Sequence, residues 1–368
     1  MADKPTIVVG MSGGVDSSVA ACLLLQQGWK IIGITLKLWP SDCPGLIDDR
    51  CCGPDAIQDA KNVAATLGIP HKVLDLSVDF DREVIRYFQR EYQAGRTPNP
   101  CVVCNREIKF GLLLRYALAL GASHVATGHY ARVEKNGDRF LLRRATDLHK
   151  DQSYFLFALA QEQLAHVRFP LGELRKEEVR ALAQSKGLVN AQRKESQDIC
   201  FAGIGAYGDF LKKRLGINQF TGGEIVDLRG NVLGQHQGIE LYTVGQRKGI
   251  NVGSPTPLYV LGIDTPSRRV IVGTEDEIWH KQLTVSRPIW TSGEPAPEGA
   301  EVMVKIRHSH PGAQATFHFE ADGSLSVQFK DSQRAITPGQ AAVFYQNDLL
   351  IGGGWITKQQ LIPLHPDG

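Results

Sequence analysis

The sequence has no apolar run approaching the roughly 20 residues that a membrane-spanning helix needs. Its opening residues, Met1-Ala2-Asp3-Lys4, carry neither the apolar core of a secretory leader nor an Arg-rich amphipathic transit pattern. A cytoplasmic protein with no membrane partner is therefore expected. An excess of one charge is also missing. With 41 Lys and Arg against 39 Asp and Glu, the formal net charge is +2. A protein-wide basic field is excluded, and any nucleic-acid binding must come from local patches. Cysteine is scarce and odd in number, seven in 368 residues. Without a secretion signal that pattern argues against a disulfide framework and directs attention to thiol chemistry. Internal repeats and low-complexity segments are absent as well.

What is present is an ordinary globular composition, 42% hydrophobic and 22% charged. The length predicts two or three domains. Strand and helix signals alternate through the first half. Strands are expected at 6–9, 31–36, 72–76 and 125–128, and helices at 17–27, 55–67, 79–94 and 108–120. Such alternation predicts a parallel sheet covered on both faces, with ligands beyond the carboxyl ends of its strands. The character changes near Phe201. A short helix at 209–215 is followed by short β-type runs between Gly-rich turns. From Trp279 onward the spacing predicts a small antiparallel barrel.

The run Ser12-Gly13-Gly14-Val15-Asp16-Ser17-Ser18 joins the first strand to the first helix. A glycine-rich turn there presents backbone N–H groups and a helix N-terminus to an anion. It is not a Walker A sequence, since no Gly-Lys-Ser/Thr follows. The plainer alternative is a capped helix on a tight turn. Cys104 lies in Thr97-Pro98-Asn99-Pro100-Cys101-Val102-Val103-Cys104-Asn105. The two prolines predict a rigid, non-helical loop with an exposed thiol. Arg96, Arg106 and Lys109 nearby are expected to favour its thiolate. Cys200 sits between Ile199 and Phe201, where a small buried hydrophobe is the competing reading. Cys22 is expected in the core. Cys43, Cys51 and Cys52 fall in a connection without a partner pattern for metal.

The Ser12–Ser18 turn, Thr97-Pro98-Asn99-Pro100 with Cys104-Asn105, Gly128-His129-Tyr130, Lys150-Asp151-Gln152-Ser153, Ser196-Gln197-Asp198-Ile199-Cys200 and Leu241-Tyr242-Thr243-Val244-Gly245-Gln246-Arg247 occur in that order. Together they closely resemble the tRNA-specific 2-thiouridylases of the PP-loop ATPase superfamily, over nearly the whole chain. The resemblance implies an α/β N-terminal domain with a parallel sheet, of the adenine nucleotide α-hydrolase-like kind, over 1–205. A small central domain over 206–278 and a C-terminal antiparallel β-barrel over 279–368 would follow. It implies ATP-dependent replacement of oxygen by sulfur at C2 of a tRNA wobble uridine. The implied cofactors are ATP and Mg2+, and a cysteine desulfurase or sulfur carrier is the implied donor.

Residue by residue, the resemblance makes Gly10, Met11, Ser12, Gly13, Gly14, Val15, Asp16 and Ser17 the ATP-phosphate loop. Leu36 stands beside the adenine, where Met is frequent, and Gly128 is a further nucleotide contact. Asp16 also has a catalytic reading, helping to hold magnesium, beside the plainer one of an acid favoured at a helix N-terminus. Cys104 matches the first catalytic cysteine and Cys200 the persulfide carrier. Asn99 and Pro100 match the loop that meets the target base, and Cys101 stands where Asp is frequent. His129, Lys150, Asp151 and Gln152 match tRNA contacts. Arg307, His308 and Gln340 match contacts from the barrel. Further candidate phosphate contacts are Arg143-Arg144, Lys212-Lys213-Arg214, Arg247-Lys248 and Arg268-Arg269.

Other readings of the same residues stand beside this one. Cys101, Cys104 and Cys200 are three thiols that can ligate a [4Fe-4S] cluster, with Cys101-x-x-Cys104 spacing suited to it. Another adenylating ligase on the same ATP fold would not need Cys104 and Cys200. A catalytically silent RNA-binding module would not use the Ser12–Ser18 turn.

Overall fold

In a computed structural model, residues 4–39, 53–188, 200–201, 207–215 and 220–359 are described. Cys43, Cys51, Cys52 and Ser196 to Ile199 lie outside them. Strands β1 (Thr6–Gly10), β2 (Lys30–Lys37), β3 (His71–Asp75), β4 (His124–Ala126) and β7 (Val167–Arg168) form one parallel sheet in the order β3-β2-β1-β4-β7. Along β1 successive side chains point to opposite faces. Val8 packs with Ile34, Phe110, Leu113 and Val125, while Ile7 and Val9 pack with Val19, Val63 and Ala126. Both faces are thus buried, which is why these strands read as continuous apolar runs. Helices α1 (Val15–Gln26) and α2 (Pro54–Leu67) lie on the second face.

The helical run 77–93 and the longer run 100–119 each contain a π-helical stretch, Asp81–Ile85 and Cys104–Leu112. The expectation of a non-helical loop around Cys104 is corrected here. Pro100 opens the helix at a first-turn position, where its missing N–H and fixed φ do no harm. The prolines therefore start the helix rather than exclude it.

A central four-stranded sheet runs in the order β10-β11-β8-β9, from β8 (Gly223–Val226), β9 (Val232–His236), β10 (Tyr259–Asp264) and β11 (Arg269–Gly273). The final unit comprises β12 (Trp279–Ile289), β13 (Val302–Lys305), β14 (Ala313–Phe319), β15 (Leu325–Arg334), β16 (Ala341–Gln346) and β17 (Leu349–Gln359). β12 pairs with both β15 and β17, which closes six antiparallel strands into a barrel and removes their free edges.

One connection is not legible in the sequence. A hairpin from the first half, β5 (Ala131–Asn136) and β6 (Arg139–Arg144), hydrogen-bonds to β17 through the pairs Arg143–Leu349 and Leu142–Leu350. Asp348 fastens the seam by accepting from Arg132 at 2.7 Å and Arg143 at 2.8 Å. Tyr345, Ala341 and Leu350 of the barrel share the apolar core that contains Val8 and Phe110. Among the described residues, no helix is long and apolar enough to cross a membrane.

Candidate functional site

The Gly10–Ser17 turn, the carboxyl end of β2, the start of the 100–119 helix and the Gly128-His129 turn surround one cavity of about 340 Å³. Of the residues singled out in the sequence, Gly10, Met11, Ser12, Asp16, Ser17, Leu36, Pro100, Cys101, Cys104, Gly128, His129, Gln152 and Cys200 border it. Gly13, Gly14, Val15, Asn99, Lys150, Asp151, Arg307, His308 and Gln340 are not among its lining residues. Cys104 and Cys200 are 96 positions apart in the chain, yet both face this space.

The turn is held by its own hydroxyls. Ser17 Oγ donates to Gly14 O at 3.0 Å and accepts from Ser12 N–H at 3.2 Å. Gly13 has φ +74°, and a Cβ there would come within 2.3 Å of Ala56 O. Only glycine fits that combination of backbone and neighbour. Gly128 is required by a second close approach, since a Cβ would lie 2.7 Å from Ser17 N at the start of α1. The floor is fixed by Met11, whose N–H donates to Ile34 O and whose carbonyl accepts from Thr35 Oγ1, both at 2.8 Å.

Asp16 is the one carboxylate on the cavity wall among the described residues. Its Oδ1 accepts from Tyr130 Oη at 2.8 Å and from Lys176 Nζ at 2.7 Å. Lys176 is 5% exposed. Nothing in the sequence singles it out, because Arg175-Lys176-Glu177-Glu178 reads as a solvated helix start. Only the packing of the Lys176–Ser185 helix against α1 reveals its role.

Cys104 is buried, at 8% exposure, among Phe80, Val103, Ile108 and Phe201. Burial pushes its thiol pKa up, and the nearby Lys109 charge only partly opposes this. The expectation of an exposed, readily ionised thiol is corrected on both counts: the apolar packing outweighs one ammonium, and Arg96 and Arg106 are paired with Glu91 and Glu107. In the π-helical stretch, i→i+5 bonding such as Leu113 N–H to Ile108 O widens the helix. Cys104 and Lys109, five residues apart, then both border the cavity. Lys109 was named in the sequence only as a neighbour of Cys104.

His129 is buried, and desolvation followed by the Lys109 charge holds its pKa well below the usual value. Its Nε2 faces Lys109 Nζ at 3.5 Å and its Nδ1 faces Thr127 Oγ1 at 2.7 Å. With an ammonium donating to Nε2, the ring proton sits on Nδ1. Gln152 Oε1 accepts from Tyr130 N–H at 3.0 Å, which fixes the turn that carries His129.

The expected RNA-contacting residues outside the cavity have clear local partners. Asp151 is 2% exposed and accepts from Arg144 Nε, Ala145 N–H and Ser153 N–H. His308 stacks on Phe155 with 4.5 Å between centroids and bonds Asp151 O at 3.1 Å. Arg307 Nη1 donates to Arg334 O at 3.2 Å, and Lys150 is half-buried. Asn99 is buried, with its N–H on Tyr87 Oη at 3.4 Å. Among the basic candidates, Arg143, Arg144, Arg214, Arg268 and Arg269 are ion-paired with Asp348, Asp151, Asp81, Glu240 and Glu224. Cys22 is in the core.

Three family models match the chain consecutively: a tRNA methyl transferase HUP domain over residues 5–204, a tRNA methyl transferase PRC-barrel domain over 208–274, and an aminomethyltransferase beta-barrel domain over 280–356. The chain is 49% identical to a tRNA-specific 2-thiouridylase MnmA of Geobacter metallireducens, covering 96% of this chain and 97% of the relative. It is 48% identical to that of Heliobacterium modesticaldum over 99% of this chain and 96% of the relative. To that of Magnetococcus marinus it is 48% identical over 97% of this chain and all of the relative. On likeness of that depth across all three units, the chain belongs to the tRNA-specific 2-thiouridylase family.

Proposed function

We propose that the chain performs ATP-dependent 2-thiolation of the wobble uridine of tRNA in the cytoplasm. The uracil C2 oxygen is a poor leaving group. Transfer of the AMP moiety of ATP onto it releases pyrophosphate and makes the oxygen depart as AMP. The start of α1 offers its first backbone N–H groups, which no side chain caps, to the phosphates. Cys200, charged as a persulfide by a cysteine desulfurase or sulfur carrier, attacks C2 through its outer sulfur, and AMP leaves. Cys104 then attacks the inner sulfur of Cys200. The S–S bond to the transferred sulfur breaks, that sulfur remains on C2, and a Cys104–Cys200 disulfide forms for reduction by an external thiol.

The observation that carries this reading is that Cys104 and Cys200 border the same cavity as the Gly10–Ser17 turn. Burial favours the neutral thiol of Cys104, so its ionisation belongs to the step in which it attacks. Mg2+ fits the site through Asp16 alone, consistent with an ion that takes its other ligands from phosphates and water, and it would neutralise phosphate charge there. A [4Fe-4S] cluster does not fit the residues as placed. Among the described residues, no group of three or more His, Cys, Asp or Glu side chains is arranged to hold a metal. No step is therefore routed through a cluster.

The direct test is mass spectrometry of nucleosides after incubation with ATP, a sulfur source and unmodified tRNA. Sulfur-for-oxygen exchange at the wobble uridine, with AMP and pyrophosphate formed alongside, is the expected outcome. An unchanged wobble uridine would remove the assignment.

A further inference from the structure

Gln340 immediately precedes the barrel strand β16 and reaches across to the first half of the chain. Its Nε2 donates to Thr97 O at 3.2 Å and to Pro98 O at 3.0 Å. Both partners are carbonyls, so the amide nitrogen must face them and both of its N–H groups are spent inward. The neighbouring backbone repeats the contact: Thr97 N–H donates to Pro338 O at 2.8 Å. Gly339, at φ +89°, packs so closely that a Cβ would lie 2.7 Å from Thr97 O. One strand residue further, Ala341 O accepts from Tyr154 Oη at 3.0 Å, and Tyr154 shares a hydrogen bond with the Asn99 side chain. A barrel turn therefore grips the backbone immediately before Pro100, where the helix bearing Cys101 and Cys104 begins.

We propose that Gln340 is a positioning residue for the reaction. The barrel turn around it clamps residues Thr97 to Asn99 and so sets how Cys101 and Cys104 are presented to the cavity. This deepens the thiolation reading and rests on it. The alternative is that Gln340 acts by touching RNA. Both its donors are already committed to protein carbonyls, so only the amide oxygen is left to meet RNA, as an acceptor from a 2′-hydroxyl or a base N–H.

The test uses the full-length protein. Gln340→Met removes both donors and keeps the bulk. Gly339→Ala displaces the same backbone while leaving the Gln340 amide in place. In the absence of RNA and ATP, iodoacetamide labelling of Cys101 is followed by peptide mass spectrometry, with thermal melts to certify folding. Labelling should accelerate severalfold in both variants. In the thiolation assay kcat should fall about tenfold, in line with the cost of ångström-scale misplacement, while KM for tRNA stays within about twofold. Gln340→Lys, which keeps a donor of similar reach, should restore kcat in part. Unchanged labelling in both variants would overturn the proposal. So would a rise in tRNA KM with kcat intact in Gln340→Met and no effect in Gly339→Ala. Because labelling needs no turnover, a parent protein that labels as expected but never thiolates tRNA would sink the functional reading alone.

Discussion

Lys176 Nζ lies 2.7 Å from Asp16 Oδ1, joining a helix from late in the first half to the Ser12–Ser18 turn near the N-terminus. Lys176 is almost fully buried, whereas the Asp16 side chain remains 28% exposed toward the cavity. The pair sets the Asp16 rotamer and leaves the second carboxylate oxygen outside this bond.

Lys176→Met keeps the stem and deletes the charge. We expect ATP-dependent pyrophosphate release to fall by about tenfold or more, because a preorganised charge at a phosphate site is lost. Asp16→Ala should impair the same step. A pyrophosphate assay with saturating tRNA checks both, and parental rates in either variant would contradict the assignment.

Gly128→Ala places a methyl group 2.7 Å from Ser17 N and from the Asp16 carbonyl carbon. Both contacts are backbone, so the N-terminus of α1 must shift. ATP affinity should drop in isothermal titration, with thermal stability lowered by about 1–3 kcal/mol.

Cys200→Ser should abolish thiolation while tRNA binding stays near normal, and Cys104→Ser should stall the reaction with the wobble base still joined to Cys200 through the incoming sulfur. Nucleoside mass spectrometry beside a filter-binding assay separates the two effects. Retained thiolation in Cys200→Ser would refute its role.

Acid should destabilise the fold through histidines that desolvation holds neutral. Desolvation holds His129 well below the usual pKa and His124 at about 4, and it also lowers His71, His236, His280, His308 and His310. Below about pH 6.5 the unfolded chain binds protons that the folded chain refuses, so stability is lost as pH falls from there. Asp75, held at about 2 by Lys37 and Ser77, adds no slope until pH approaches the ordinary carboxylate range. Thermal melts should show Tm declining between pH 7 and pH 5 and recovering on return. His124→Asn should flatten part of that decline.

Charge reversal at Arg307 should weaken tRNA binding and lower its salt dependence. Arg307 is half-buried on the barrel with one N–H on Arg334 O, so a melt must accompany the titration. Identical affinities across a salt series would place the RNA surface elsewhere.

The turn between the first strand and the first helix was legible because its devices are local: two adjacent glycines separate strand from helix, and Ser17 bonds back within the turn. The barrel strands were legible from alternation and turn residues. Residues 100–103 were misread because two prolines close together suggest a break, whereas a proline at the first helical position starts a helix. The β5–β6 hairpin was missed because its strands carry Arg132, Arg139, Arg143 and Arg144, and three of these find partners far along the chain, in Asp348 and Glu294. Lys176 escaped because its partner, Asp16, lies 160 positions away, and Gln340, expected only as an RNA contact, bonds backbone carbonyls more than 240 positions away.

By itself the sequence determined the local devices: a glycine-rich turn from strand to helix, apolar strands destined for a doubly covered sheet, a run of half-buried strands, and two thiols in recognisable settings. These follow from backbone sterics and periodicity, which act over a few residues. The tertiary structure alone decided that both thiols open into one cavity, that apolar packing keeps Cys104 neutral, that a lysine from another helix holds Asp16, and that the barrel grips the segment preceding Pro100. Such outcomes depend on desolvation and on contacts between distant segments, quantities that come into existence only when the chain closes on itself.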